Sequence, residues 1–62
     1  MPQSVPRSES ILVKRYGYSR LYDTRASRYR TVDELRDWED HGIRFAVVDA
    51  ETGRDVTQVL LA

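Results

Sequence analysis

Residues 18–31, "YSRLYDTRASRYRT", hold four arginines and three tyrosines in fourteen positions, with Asp23 as the one acid among them. Arginine forks match phosphate oxygens and the O6/N7 edge of guanine, and tyrosine hydroxyls bond to phosphates. Lys14, Arg15 and Tyr16 extend the same composition upstream. Residue type and density therefore point to polyanion binding, with Lys14, Arg15, Arg20, Arg25, Arg28 and Arg30 as candidate phosphate contacts.

The 62-residue chain is formally neutral, but the two signs are segregated. Residues 1–30 hold seven basic and two acidic side chains, a net +5; residues 31–62 hold three and eight, a net −5. Two readings fit such a split. The basic half is a face for a polyanion, or the halves attract one another within the fold or between subunits.

Other chemistry has little to work with. There is no cysteine and a single histidine, His41, so disulfides and thiolate zinc sites are excluded. Asp37 and His41 stand four apart and share a helix face, where a pair could bind metal or move a proton, but a solvated acidic helix end with a histidine near its C-terminal dipole is the favoured reading. There is no glycine-rich phosphate loop, and a serine nucleophile would have only His41 as its base. No catalytic residue, metal or cofactor is expected, and the chain is not expected to be an enzyme.

The elements that must position the basic residues are readable in part. The first ten residues, "MPQSVPRSES", carry both prolines and three serines, and read as a disordered leader ahead of one domain over 11–62. Residues 11–16 alternate as a strand, with Ile11, Val13 and Arg15 on one face and Leu12, Lys14 and Tyr16 on the other. Gly17 permits a turn into a second strand at 20–23, a hairpin signal. Asp23 or Thr24 can close the next turn, and residues 28–30 are extended again. Thr31 and Glu34 form a capping box for a helix over 32–41, with Val32, Leu35 and Trp38 on its buried stripe and Gly42 just past its end. Residues 43–49 read as a strand, Gly53 as a turn, and Asp55 as the cap of a short helix from about 56. The fold class is a small α+β domain with a hairpin or three-stranded sheet over 11–30. Its expected core is Val13, Leu21, Tyr22, Tyr29, Leu35, Trp38, Phe45, Val47, Val59 and Leu60.

A domain this short buries only about 60% of its unfolded surface. With disulfides excluded, a partner subunit is the expected staple, making a dimer or higher homo-oligomer. No apolar run suits a signal peptide or a membrane span, so a cytoplasmic protein with no membrane association is expected.

The blocks "KRYGYSRLYDTRASRYRTVDEL" and "VVDAETGRDVT" resemble the DNA-binding domain of the polyhydroxyalkanoate (PHA/PHB) accumulation regulators, over about residues 11–61. The resemblance implies a bacterial transcriptional repressor. It would bind double-stranded DNA at phasin promoters and be drawn off by nascent polyester granules. Position by position, it carries a DNA-binding role to Lys14, Arg15, Tyr16, Arg20, Tyr22 and Thr24; Arg25, Arg28 and Arg30 rest on charge alone. Where the family pattern has P-N-R-R, this chain has Gly17, Tyr18, Ser19 and Arg20. The asparagine and first arginine are gone, so no base-reading role carries over to positions 18 and 19. The rival expectation is a protein-interaction or granule-associated module that has lost specific DNA binding. An exposed apolar patch around residues 12–21 favours that rival, and a continuous arginine face favours DNA.

Overall fold

The computed structural model describes residues 10–62; the leader read at 1–10 lies outside them except for Ser10. The elements run β1 (Ile11–Tyr16), β2 (Arg20–Asp23), β3 (Arg28–Arg30), α1 (Val32–Asp40), β4 (Phe45–Asp49) and α2 (Thr57–Leu61). Alternation along β1 and β2 forces one set of side chains to each face, and Gly17, at φ 65°, takes the left-handed conformation that joins them. The pairing is antiparallel, with Val13 opposite Asp23 and Tyr16 opposite Arg20. β3 adds antiparallel to β2, Leu21 facing Arg30 and Tyr22 facing Tyr29. β4 then returns beside β1 in parallel, Val13 facing Val47, giving the order β3-β2-β1-β4. The α+β expectation is met, while the parallel partnership of the last strand is new. A parallel pair needs a long crossover, here supplied by everything between β1 and β4.

The register sorts every strand residue. Val13, Leu21 and Val47 point to one face, where with Leu35 of α1 they form the fully buried core. Val32, Trp38, Phe45, Val56, Leu60 and Leu61 pack around them. Trp38 meets Phe45 edge-on, with centroids 5.6 Å apart. Both helices lie on this face, and among the described residues the other face of the sheet carries none.

The capping box forms as the sequence predicts: the Glu34 N–H donates to Thr31 Oγ1 at 3.2 Å, and the Thr31 N–H donates to Glu34 Oε1 at 2.9 Å. α1 stops at Asp40, with His41 as its C-cap and Gly42 at φ 73°. The Ile43 N–H donates to the Trp38 carbonyl at 2.9 Å, completing the helix end. Ile43 is therefore part of the exit from the helix, and the strand expected from 43 begins at Phe45. Asp55 bonds to the Thr57 N–H at 2.9 Å, as a cap should, although Val56 is the residue that precedes the helix.

Three core expectations are corrected. Val59 is 73% exposed, because α2 turns Val56, Leu60 and Leu61 inward instead. Tyr29 is 56% exposed and Tyr22 half-buried, because their register places both on the helix-free face.

The two sheet edges differ. Along β4 the segment 54–57 covers the backbone: the Asp49 N–H donates to Arg54 O, the Val56 N–H to Val47 O, and the Val47 N–H to Thr57 Oγ1. At the other margin, β3 is a three-residue edge with an arginine at each end.

Leu35→Ala removes the helix's one fully buried side chain and is expected to cost about 2–5 kcal/mol, read as a lowered urea midpoint by Trp38 fluorescence.

Candidate nucleic-acid interface

Sheet register divides the sequence-predicted binding residues into two groups. Lys14, Tyr16, Arg20 and Tyr22 point to the helix-free face, joined by Tyr29. One row across the sheet reads Tyr29, Tyr22, Lys14, Val48. Tyr22 and Tyr29 pack edge-to-face with ring centroids 5.3 Å apart. The remaining strand positions on this face are Leu12, Ala46 and Val48, so it carries no acidic strand residue. Thr24 lies at its end, its hydroxyl donating to the Leu12 carbonyl at 2.7 Å. Arg25 sits in the following turn, and Arg28 opens β3 opposite Asp23, on the helix side by register; both are exposed. Lys14, Arg20, Arg25 and Arg28 make no ion pair among the described residues.

Arg15 and Arg30 are placed otherwise. They occupy the helix side of the sheet, and each is held by an aspartate. Arg15 Nη2 donates to Asp49 Oδ2 at 2.9 Å, and Arg30 Nε donates to Asp23 Oδ2 at 3.0 Å. Arg30 also reaches Glu34 Oε2 at 3.3 Å and lies over the Trp38 ring, 5.2 Å from its centroid. A side chain so engaged is a brace of the fold, and the free cationic group reduces to Lys14, Arg20, Arg25 and Arg28.

The residues that sequence reasoning missed are the two aspartates. Asp23 is 1% exposed. Its Oδ1 accepts the N–H groups of Arg25 and Ala26 at 2.8 and 3.0 Å, closing the turn, while Oδ2 holds Arg30. Asp49 repeats the device: Oδ1 accepts from Glu51 and Thr52 at 2.8 and 3.0 Å, and Oδ2 holds Arg15. The signal was present, since an aspartate sits in each of the two blocks, "RLYDT" and "VVDAETG". Its turn-closing half was legible for Asp23; its arginine-holding half depends on register. Arg15–Asp49 and Arg30–Glu34 also join the basic half of the chain to the acidic half, so part of the charge split is internal attraction.

Burial alone raises the Asp23 carboxyl, but donors from Ala26, Arg30 and Arg25 outweigh it and hold its pKa below the ordinary 3.8. Arg15, then the N–H groups of Thr52 and Glu51, lower Asp49 from the same value. The Thr31 N–H and the Arg30 side chain lower Glu34 against a smaller rise from burial. Three depressed carboxyls release protons on folding. Their stabilisation is complete above the unfolded range near 4 and is lost as pH falls through the folded values.

The apolar criterion is met, whereas the criterion of a continuous arginine face is not. Leu12 and Tyr16 are exposed on the helix-free face, and Tyr18 at the hairpin tip is 94% exposed. The arginine face is interrupted where Arg15 and Arg30 turn inward. Among the described residues no helix is long and apolar enough to cross a membrane.

The model of the PHB/PHA accumulation regulator DNA-binding domain matches residues 12–62. An uncharacterized protein of Allochromatium vinosum is 40% identical over 50 residues, covering 81% of this chain and 33% of that protein. A protein described as lying in the phbA 5′ region of Thiocystis violacea is 38% identical over 50 residues, covering 81% of this chain and 36% of its own length. The chain thus spans about a third of the length of these relatives. No solved structure matches.

Asp23→Asn keeps an acceptor for the turn but strips the charge from Arg30. It is expected to cost about 1.5–3 kcal/mol at pH 7. It should also flatten the fall in stability below about pH 4. Urea melts of both proteins at neutral and acid pH check this; equal acid slopes would count against the role given to Asp23.

Proposed function

The chain belongs to the PHB/PHA accumulation regulator DNA-binding domain family, and on that premise we propose that it is the duplex-binding part of a repressor controlling polyester-storage and phasin genes. The observation that carries the reading is the pair of unpaired cations Lys14 and Arg20 on the helix-free face, which offers tyrosine hydroxyls and no acidic strand residue, with Arg25 and Arg28 unpaired at the adjoining turn and the start of β3. Phosphates are clamped by these four, and Tyr16 and Tyr22 fix the register on the backbone by hydrogen bonds. Arg15 and Arg30 contribute indirectly, by holding the strands that present the others. The domain works by binding, without a catalytic step, in the cytoplasm where its DNA is. Location of a relative in a phbA 5′ region supports the link to polyester genes. Four contacts from so small a domain give weak binding, so a homo-oligomer raises the affinity by engaging two sites at once.

A second reading rests on Leu12, Tyr16 and Tyr18, which leave apolar surface open along β1 and at the tip of the β1–β2 hairpin. In that reading the domain docks on a partner protein or the polyester granule, and loss of the family's asparagine and arginine marks loss of operator reading.

Fluorescence anisotropy on a phasin-promoter duplex and a scrambled duplex separates the two. Duplex affinity should fall with salt, and Lys14→Ala and Arg20→Ala should each weaken it and reduce the log–log salt slope by about 0.9. Preference for the promoter duplex supports a specific repressor domain. No duplex binding at low salt, with sedimentation on polymer particles that Leu12→Ser abolishes, would replace this reading with the second.

A further inference from the structure

We propose that the helix-free face of the sheet is a stacking platform for single-stranded nucleic acid, a ligand distinct from the duplex. The inference uses the same cations as the function above but does not depend on duplex binding.

Shape is the first argument. The face spans four strands, about 14 Å from β3 to β4 at the usual strand spacing. A major groove about 12 Å wide admits a two-stranded ribbon or a helix, not a sheet of this breadth. Duplex contact through a groove thus engages part of the face at a time, by the clamp described above, and leaves Tyr29 without a ligand. A broad open sheet is, however, the surface on which unstacked bases lie in single-strand readers.

Residue type is the second. Tyr16, Tyr22 and Tyr29 stand on this face on three adjacent strands, where backbone pairing holds them in fixed register. Tyr16 is 43% exposed, and Tyr29 more so. The edge-to-face contact of Tyr22 with Tyr29 at 72° sets the two rings at different orientations, so they do not cover one another face to face. Every base has a π-face, so such rings accept bases of any sequence.

Charge is the third argument, and it selects the occupant. Lys14 stands in the same cross-strand row as Tyr22 and Tyr29, and Arg20 is paired beside Tyr16. An open depression of about 470 Å³ at the β3 margin, lined by Ser19, Arg20, Leu21, Tyr29 and Arg30, brings guanidinium and ring together. A neutral polyester or an apolar peptide would offer the Lys14 ammonium nothing in exchange for its water. A single strand supplies a phosphate for each base it stacks, which matches cations interleaved with rings. Asp55, bridged to Val48, stands at the far β4 margin, away from the tyrosines.

The test uses the whole 62-residue chain. A fluorescein-labelled oligothymidylate of about twelve nucleotides, within the usual site size, is compared with a duplex of equal length. Oligothymidylate should bind. Tyr16→Leu and Tyr29→Leu, which keep apolar bulk but remove the ring, should each weaken it by at least about fivefold. Tyr29→Leu, at a ring with no part in the duplex clamp, should shift duplex affinity less than twofold, and Tyr29→Phe should restore single-strand binding. Trp38 lies on the opposite side of the sheet, so its emission reports that the variants remain folded. Oligothymidylate binding without duplex binding would sustain the platform while removing the duplex function. Duplex binding without oligothymidylate binding would overturn the platform, as would single-strand binding indifferent to both leucine variants, which is attraction by charge alone. Association with polyhydroxybutyrate particles in place of oligothymidylate would overturn it too and assign the face to polymer.

Discussion

The Asp23 carboxylate ties together parts of the domain that have no other reason to agree. One oxygen fixes the turn that lets β3 fold back on β2; the other draws in Arg30 from the far end of that strand. Arg30 in turn reaches Glu34, which is already engaged in capping α1, and covers Trp38, which packs on Phe45 of β4. Turn, edge strand, helix start and aromatic core are thus linked in sequence by hydrogen bonds, one cation–π contact and one edge-to-face ring pair. A buried carboxylate without donors would be costly, and this one is stabilised because its partners are furnished by the backbone it orders. Among the described residues the fully buried apolar core is Val13, Leu21, Leu35 and Val47, too small to specify the arrangement of six elements by packing alone.

That arrangement reassigns the arginines. Composition presents them as equivalent, but geometry does not. Arg15 and Arg30 fall in register with Val13 and Leu21, on the side where solvent is scarce and aspartates wait. Arg20 and Lys14 fall on the other side, where water or a polyanion completes their coordination. A strand turns successive residues to opposite faces, so two adjacent cations, Lys14 and Arg15, acquire opposite occupations. The density of arginine near residue 25 is therefore the sum of two demands, one structural and one for binding.

Local signals carried far in this sequence. The capping box at Thr31 and Glu34, the glycines at 17 and 42, the strand alternation from Ile11 and the Asp23 turn all rest on interactions within a few residues, and all were legible. What escaped was non-local. Nothing within "IRFAVVDA" says that Val47 lies beside Val13 in parallel, more than thirty residues away, and hence nothing says that Asp49 meets Arg15. The tyrosines misled for a related reason. Tyr22 and Tyr29 have the bulk of core residues, but their parity places them opposite Leu21, and parity outranks size. Val59 shows the same limit in a helix too short for its apolar spacing to define one face. For the candidate site, residue types were readable and their sidedness was not.

The unequal edges of the sheet have a bearing on colloidal behaviour. Along β4 the backbone is already satisfied by residues 54–57, so a foreign strand finds no row of free groups there. The β3 margin is open, but it is only three residues long and bears Arg28 and Arg30. Two copies meeting through β3 would bring the unpaired Arg28 of each into the seam, and a further copy would meet the β4 backbone at Val47 and Asp49 already bonded. A small domain with a modest core and an exposed aromatic face is the kind of chain in which fibrous stacking is a hazard. Here sheet-to-sheet growth is blocked at one side by backbone saturation and opposed at the other by electrostatic repulsion.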